Sequence, residues 1–181
     1  NRCHSKDPLL RPDFNEICMQ IVQKSFLNVF SNININEVKS FFDFLRKNEN
    51  NDLAYSLYIY GVFLDENGNE KDKKEMINVI KEAADKGNPD AMFFYAEKLF
   101  KGEFVKCNKK EAFKYYKNAA NKGNADAMLK CAFKLNEGDE IDKNKEEALF
   151  CYKKAADLGN IEAKSILQSK ISSFFEDNND E

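Results

Sequence analysis

The sequence predicts an all-α fold, an α-solenoid of stacked antiparallel helical hairpins, because three short patterns recur with one common period. The patterns are a Gly-Asn pair, an Ala-Ala pair, and a polar residue followed three positions later by Glu, and each returns after 36 residues. The pairs are Gly87-Asn88, Gly123-Asn124 and Gly159-Asn160; Ala83-Ala84, Ala119-Ala120 and Ala155-Ala156; and Asp72/Glu75, Asn108/Glu111 and Asn144/Glu147. One period shared by three patterns indicates repeated structural units.

The second helix of each hairpin is predicted to begin at the polar residue that precedes Glu. Asp72, Asn108 and Asn144 are residue types that cap helix starts, and the Glu three positions later can return a hydrogen bond to the cap. We therefore expect second helices to begin near residues 73, 109 and 145. They should end at the glycine of each Gly-Asn pair, where glycine can adopt the left-handed conformation that closes a helix.

The first helix of the next hairpin is predicted to begin at the Asn of each Gly-Asn pair. Asn is a favoured cap, and Pro89 suits the first helical position, where a missing amide costs nothing. The turn between hairpins then has only a residue or two, so consecutive helices must pack antiparallel.

A 3.6-residue period selects one buried face on each helix of these hairpins. On the first helices the predicted core residues are Ala91, Tyr95, Ala96 and Leu99, then Ala127, Cys131, Ala132 and Leu135. On the second helices they are Ala112, Tyr115, Tyr116, Ala119 and Ala120, then Ala148, Cys151, Tyr152, Ala155 and Ala156. One hairpin buries too little to fold alone, so the units must stack.

These registers resemble the Sel-1-like repeat, a relative of the tetratricopeptide repeat. The matching residues run Ala91-x3-Tyr95-Ala96-x2-Leu99-x2-Gly102, then Ala112-x2-Tyr115-Tyr116-x2-Ala119-Ala120-x2-Gly123, with Ala96 and Ala132 where the family has glycine. The predicted repeats are 51–87, 88–123, 124–159 and a half-repeat 160–175, the first copy being aligned from Ala54 to Gly87. The resemblance implies a scaffold or adaptor that presents a concave surface to partner proteins.

Residues 1–24 resemble a different family, the C-terminal end of a protein kinase domain of the tyrosine-kinase-like type. The motif is Cys3-His4-x2-Asp7-Pro8-x2-Arg11-Pro12-x-Phe14. The chain shows no Gly-rich loop, phosphate-binding Lys or catalytic Asp of a kinase, so we expect no ATP binding by this segment. The resemblance implies that the repeats form the C-terminal part of a larger protein kinase, whose natural chain begins upstream of Asn1.

Residues 25–50 are predicted to be a linker and a capping helix. A helix is expected from about Asp13 to Phe30, and a second from Glu37 to Lys47. The second helix has an apolar stripe of Val38, Phe41, Phe42 and Leu45, which should cover the exposed end of the first repeat. Residues 176–181 are expected to be an acidic disordered tail.

Composition excludes several functional classes. A net charge of −3 gives no support for nucleic-acid binding, and no apolar run approaches the ~20 residues that span a bilayer. Five cysteines without C-x-x-C spacing indicate a reducing, cytoplasmic location rather than a zinc site. His4 is the only histidine, and its place in the kinase motif indicates a structural role. We therefore predict no catalytic residue, metal or cofactor.

The predicted binding site is the concave wall formed by the first helices, opposite their packed stripe. Its residues are Tyr60, Phe63, Phe93, Glu97, Phe100, Leu129, Phe133 and Asn136, with Ser56 beside them. Apolar residues here favour a protein or peptide partner for a monomeric chain. Packing against the neighbouring first helix and simple surface exposure are the competing interpretations.

Two alternative functions remain open. In the first, the chain is a fragment of a protein kinase and its repeats are passive. In the second, it is a secreted cysteine-rich repeat protein, and resemblance to such relatives implies a disulfide between Cys131 and Cys151. The same two positions hold Tyr95 and Tyr115 one repeat earlier, which favours buried free thiols at core sites.

Overall fold

The computed structural model describes residues 35–47, 53–138 and 142–177, and the secondary structure within these ranges is helical, without strands. None of the helices in these ranges has the length and apolar character needed to span a membrane. In chain order the helices are α1 (Ile35–Lys47), α2 (Leu53–Asn67), α3 (Glu70–Asp85), α4 (Pro89–Lys101), α5 (Lys109–Asn121), α6 (Ala125–Glu137), α7 (Lys145–Asp157) and α8 (Ile161–Asp177).

The helices pack in sequential order, as the solenoid prediction requires. Three hairpins form from α2 and α3, from α4 and α5, and from α6 and α7, and each second helix also packs against the first helix of the next hairpin. We call these hairpins 1, 2 and 3. Helix α8 is a further first helix, packed on α7. The all-α solenoid is confirmed.

The asparagines of the Gly-Asn pairs cap the first helices as predicted. Their side-chain Oδ1 atoms accept hydrogen bonds from backbone amides three residues later: Asn88 from Ala91, Asn124 from Ala127 and Asn160 from Ala163. Pro89 occupies the first turn of α4. The glycine before each Asn has a positive φ, 91° at Gly123, so the sharp turn between hairpins uses the conformation that glycine adopts without steric cost.

Two of these asparagines, Asn124 and Asn160, also connect successive hairpins. Asn124 Nδ2 donates a 2.8 Å hydrogen bond to Asp90 in α4, and Asn160 Nδ2 donates a 2.7 Å bond to Asp126 in α6. Both partners lie 34 residues earlier in the chain. Each cap therefore contacts the start of the preceding first helix.

Asn108 and Asn144 cap the second helices as predicted, but the glutamates act differently from a capping box. Asn108 Oδ1 accepts a 3.1 Å bond from the Glu111 amide, while Asn108 Nδ2 donates to the Glu111 carboxylate at 2.8 Å. The Asn108 backbone amide donates its hydrogen bond to the Leu99 carbonyl oxygen at 3.0 Å, and not to the Glu111 carboxylate as a capping box would require. Asn144 and Glu147 repeat this arrangement.

The predicted start of the second helix in hairpin 1 is wrong. Helix α3 begins at Glu70, capped by Asn69, and Asp72 is its third residue rather than its cap. The Asp72 carboxylate accepts a 3.1 Å hydrogen bond from the Asn69 backbone amide, which completes a true capping box. The hairpin loop is shorter here than in hairpin 2, so a start copied from the 36-residue period falls inside the helix.

The predicted core faces of hairpins 2 and 3 are confirmed. Every predicted alanine, together with Leu99, Leu135, Tyr95, Tyr116, Tyr152 and Cys131, is buried, and Tyr115 and Cys151 are half-buried. The alanines let the helix backbones approach, and the larger side chains fill the space between them.

Hairpin 1 follows a register different from the one that begins at Ala54. Four of the buried positions of α2 reproduce the spacing of Ala91, Tyr95, Ala96 and Leu99 in α4, and these are Ser56, Tyr60, Gly61 and Leu64. A Cβ atom at Gly61 would collide with the side chain of Ile80 in α3. Gly61 therefore permits the close approach of α2 and α3, as Ala96 does in the next hairpin.

Helix α1 packs against the end of hairpin 1 and begins at Ile35, two residues before the predicted start. The Phe42 ring, 1% exposed, stacks on Tyr60 with centroids 4.4 Å apart. Lys39 pairs with Asp72 at 2.6 Å, and Arg46 pairs with Glu82 at 3.1 Å. The side chains of Phe41 and Leu45 lie outside the described residues, as do the kinase-like motif, the predicted helix 13–30 and residues 178–181. Helix α8 runs to Asp177, two residues into the predicted tail.

Candidate partner-binding surface

Five predicted site residues lie half-buried on the first helices of hairpins 2 and 3. They are Phe93, Glu97, Phe100, Phe133 and Asn136, and we refer to them as the first-helix surface. The 3.6-residue period separates them from the core stripe of α4 and α6, so their side chains are only partly covered. A half-buried aromatic ring retains area that a partner can cover.

Phe93 and Glu97 are held in place by Tyr116 of α5. The Phe93 and Tyr116 ring centroids are 5.9 Å apart, and the Tyr116 hydroxyl donates a 2.6 Å hydrogen bond to Glu97 Oε1. Burial, and then this hydrogen bond to a carboxylate, raises the pKa of Tyr116 far above its usual range, so the phenol remains a donor. Glu97 is also 3.5 Å from Lys130 of α6, which connects the two first helices.

Phe100 contacts lysines of both hairpins 2 and 3, and Phe133 packs within hairpin 3. Lys134 of α6 lies 4.3 Å and Lys109 of α5 5.7 Å from the Phe100 ring centroid, within the range of cation–π attraction. The Phe133 ring packs edge-on against Tyr152 of α7, with centroids 5.7 Å apart. The surface therefore combines three aromatic rings with fixed charges of both signs.

Three other predicted site residues are buried, and their assignment to an accessible surface is wrong. Tyr60 is 1%, Phe63 3% and Leu129 4% exposed, and the adjoining Ser56 is fully covered. Tyr60 is a core residue because it occupies the register of Tyr95, stacks on Phe42 and donates a 2.8 Å hydrogen bond to Glu75. Leu129 belongs to an apolar cluster with Ile166 and Leu167 of α8, so packing against the neighbouring first helix explains it.

The corrected register identifies two positions that the sequence reasoning missed. Tyr58 and Val62 in α2 correspond to Phe93 and Glu97 in α4, and both are half-buried. The missing signal was Gly61, which marks the family's glycine position, whereas the alignment followed the alanine at 54. The surface therefore extends onto hairpin 1 through Tyr58.

The chemistry available at this surface is non-covalent recognition. Across the described ranges, no group of three or more His, Cys, Asp or Glu side chains could hold a metal ion. His4 lies outside those ranges. Aromatic rings beside Glu97 and several lysines suit contact with a polypeptide, whose side chains offer apolar area and both charges.

The two cysteines of hairpin 3 are free thiols at core positions. Cys131 is 3% exposed, and burial raises its pKa to about 12. Cys151 is half-buried, and its pKa is also raised by burial. A thiol with a raised pKa is a poor nucleophile near neutral pH, so neither residue has the character of a catalytic cysteine.

Comparison with known families supports the repeat assignment. Residues 89–124 and 125–160 match the family model described as Sel1 repeat, which are hairpins 2 and 3 with their following turns. The resemblance inferred from the repeated motifs is thus confirmed for these two units. No curated protein matches the chain significantly.

Solved structures show the same fold. A protective antigen of uropathogenic Escherichia coli strains, described as displaying an SLR fold, matches with a TM-score of 0.63 and 24% identity over 72% of this chain. A Sel1 repeat protein from Oxalobacter formigenes matches with a TM-score of 0.58 and 26% identity over 72%. Cysteine-rich protein B of Helicobacter pylori matches with a TM-score of 0.56 and 19% identity over 73%.

The matched share of these proteins varies. The chain spans 27% of the length of the Escherichia coli antigen, 57% of the Oxalobacter protein and 93% of the Helicobacter protein. At 24% and 19% identity, the likeness to the antigen and the cysteine-rich protein concerns the fold alone.

Proposed function

We propose that this chain is a protein-interaction scaffold that binds a partner polypeptide on the first-helix surface. The observation that carries the proposal is the set of three phenylalanines on two adjacent first helices, Phe93, Phe100 and Phe133, each only half-buried. Aromatic residues supply much of the binding energy at protein interfaces, especially where surrounding contacts exclude water. The match to Sel1 repeats supports a protein as the partner.

The charges beside these rings favour a partner with both apolar and charged side chains. Lys130 and Lys101 lie 3.5 Å and 3.8 Å from Glu97 carboxylate oxygens, and Lys134 lies over Phe100. Their side chains are pre-positioned by contacts within the protein, which lowers the ordering cost of binding. A scaffold of this kind needs no catalytic group.

A display selection tests the proposal. Peptides selected on the immobilised full chain should bind with micromolar affinity, and substitution of Phe93, Phe100 and Phe133 by Ala should weaken them at least tenfold. Phe104→Ala is the matched control, because Phe104 is 45% exposed in the loop between α4 and α5, outside the first-helix surface. Peptides that bind the triple variant as tightly as the wild type, in a protein with unchanged circular dichroism, would refute the assignment.

The kinase-like motif supports a further proposal, that the repeats serve a protein kinase in the cytoplasm. Arg11 and Pro12 belong to a motif that closes such domains, and a monomeric repeat array beside a kinase would recruit its substrates or regulators. Coding sequence upstream of Asn1 should then encode a Gly-rich loop and a catalytic Asp. An upstream region without them would overturn this proposal and leave the scaffold proposal standing.

A further inference from the structure

Hairpin 3 contains a pocket at the place where hairpin 2 contains two tyrosine rings. In hairpin 2, Tyr95 and Tyr115 meet edge to face with centroids 5.0 Å apart, and the Tyr115 hydroxyl donates a 2.9 Å bond to Asp85. The residues 36 positions later are Cys131 and Cys151. Each replaces a ring with a single sulfur atom, which leaves space between α5, α6 and α7.

The vacated space is a pocket of about 120 Å³ lined by both cysteines. Its apolar wall includes Phe113, Met128, Leu135 and Phe150. Phe150 is 59% exposed, so the pocket opens to solvent on the side of the second helices. An apolar cavity of roughly 150 Å³ can bind a benzene ring, so an open pocket of about 120 Å³ has room for most of one aromatic ring, with its edge at the mouth.

Polar groups surround the pocket in the positions that surround the tyrosines of hairpin 2. Lys117, Asn121 and Glu147 line it, and they correspond to Lys81, Asp85 and Glu111 one repeat earlier. Asn121 thus occupies the position of Asp85, whose carboxylate accepts the hydrogen bond from the Tyr115 hydroxyl. A phenol entering the pocket would find a hydrogen-bonding partner in the same place.

The charged residues at the mouth of the pocket indicate which kind of residue should neighbour a bound tyrosine in the partner. Lys117 is paired with Glu147 at 3.0 Å, whereas Lys154 has no carboxylate partner within the described part of the chain and contacts the Phe150 ring at 5.6 Å. Lys154 also lines the pocket. The positive charge of Lys154 at the mouth favours an acidic residue beside the inserted ring.

We propose that this pocket, named here the Cys131/Cys151 pocket, binds a tyrosine side chain of a partner polypeptide with an acidic residue next to that tyrosine. The inference rests on the proposed protein-binding function but locates a second contact, in a pocket between α5, α6 and α7 that no residue of the first-helix surface lines. The bound ring restores the packing that Tyr95 and Tyr115 provide within hairpin 2.

Methionine methyl signals in NMR give a direct test with an internal control. Met128 lines the pocket, and Met92 occupies the same register in hairpin 2, where the tyrosines fill the space. Titration of the full chain with p-cresol, the side-chain analogue of tyrosine, should shift the Met128 signal saturably, with a Kd of about 1 mM for so small a ligand. The Met92 signal should stay in place. A Met128 signal that does not move at 20 mM p-cresol would overturn the proposal.

Two variants locate the binding. Cys131→Tyr combined with Cys151→Tyr copies the natural pair of hairpin 2 and should reduce p-cresol binding at least tenfold. Phe150→Lys copies Lys114 of hairpin 2, removes one wall and should weaken binding several-fold with little effect on folding. Circular dichroism verifies both folds. An unchanged Met128 titration in both folded variants would show that the ring binds elsewhere.

Dipeptides test the charge requirement and the nature of the partner. Acetyl-Glu-Tyr-amide should bind several-fold more tightly than acetyl-Lys-Tyr-amide, and Lys154→Ala should remove the difference. Equal affinities would refute the acidic partner. A dimer in sedimentation that p-cresol dissociates would identify a second copy of the chain as the occupant and overturn the proposal. The p-cresol titration reports on the pocket, whereas the display selection is scored by the loss of affinity at Phe93, Phe100 and Phe133, none of which lines the pocket, so failure of the two functions can be distinguished.

Discussion

The hydroxyl of Tyr116 in α5 donates a 2.6 Å hydrogen bond to Glu97 Oε1 in α4, across the interior of hairpin 2. Tyr116 is 1% exposed, while the Glu97 side chain is 22% exposed at the first-helix surface. A buried phenol thus orients a carboxylate at the surface where we place the partner. The packing of the hairpin and the geometry of the binding surface depend on the same bond.

Tyr116→Phe should lower the free energy of unfolding by about 1–2 kcal/mol, because the variant loses a buried hydrogen bond to a charged acceptor. Urea denaturation measures the change. Tyr115→Phe is the matched control, since its hydrogen bond to Asp85 is exposed and its removal should cost less than about 0.5 kcal/mol. Equal losses in the two variants would contradict a specific role for the Tyr116 bond.

The ion pair between Lys39 and Asp72 should make stability depend on pH at the acidic end. The hydrogen bond from Lys39 holds the pKa of Asp72 below its ordinary value, so the folded state favours the carboxylate. A lowered folded pKa gives stability that is complete above the unfolded pKa of roughly 3.9 and is lost as pH falls through the folded pKa.

Asp72→Asn should therefore be less stable than the wild type by about 1–3 kcal/mol at pH 7, with the difference shrinking below about pH 4. The side-chain oxygen of the introduced Asn can still accept the hydrogen bond from the Asn69 backbone amide, so the capping box of α3 remains. Asp43→Asn on α1 is the control, because Asp43 is 66% exposed and lies 3.7 Å from Arg46. A difference that persists unchanged to pH 2 would show that the ion pair is not its source.

Gly61→Ala should destabilise the chain by about 1–3 kcal/mol, because the added methyl group collides with Ile80 in a close-packed interface. Ile80→Ala removes both the Cγ1 and the Cδ1 atoms that the methyl group would meet, so the double variant should recover part of the loss relative to Ile80→Ala alone. Gly123→Ala gives a contrast, since no atom lies within 4 Å of the added Cβ and its cost comes from the φ of 91° alone. No recovery in the double variant would exclude the steric cause.

Alkylation with iodoacetamide at pH 8 should separate the cysteines of the described region. Cys107 is exposed and should react within minutes, whereas burial and a pKa near 12 should protect Cys131 until the protein unfolds. Mass spectrometry of the peptides measures both. If Cys131 and Cys151 stayed unmodified even in denaturant until a reductant was added, they would form a disulfide, as in the secreted alternative.

Features set by adjacent residues could be predicted from the sequence. The caps at Asn88, Asn124 and Asn160 and the turns before them depend on side chains within three residues of the helix start, so their residue types were sufficient. The core stripes of α4 and α6 followed from helical periodicity. Each of these predictions is confirmed because no distant contact competes with it.

Features of hairpin 1 could not be obtained by extending the period. Its register depends on Gly61 meeting Ile80 and on Phe42 covering Tyr60, which are contacts between helices rather than patterns along one helix. If Ala54, rather than Ser56, is aligned with Ala91, the predicted buried face of α2 is shifted by two residues, which is about 200° around the helix. That shift placed Tyr60 and Phe63 on the predicted accessible face, although both are buried. The pocket in hairpin 3 required coordinates, because two cysteines at core positions do not reveal whether neighbours fill the space.

The dual contacts of Asn124 and Asn160 determine how the array can grow. The oxygen of each side-chain amide caps a new helix, and its nitrogen donates a hydrogen bond to the preceding hairpin. A folded hairpin therefore helps to position the start of the next one. During synthesis, order should advance from the amino-terminal end one unit at a time. Evolution can then add or remove whole 36-residue units without disturbing these contacts, whereas residues inserted into the turn between two hairpins would separate the amide from one of its two partners.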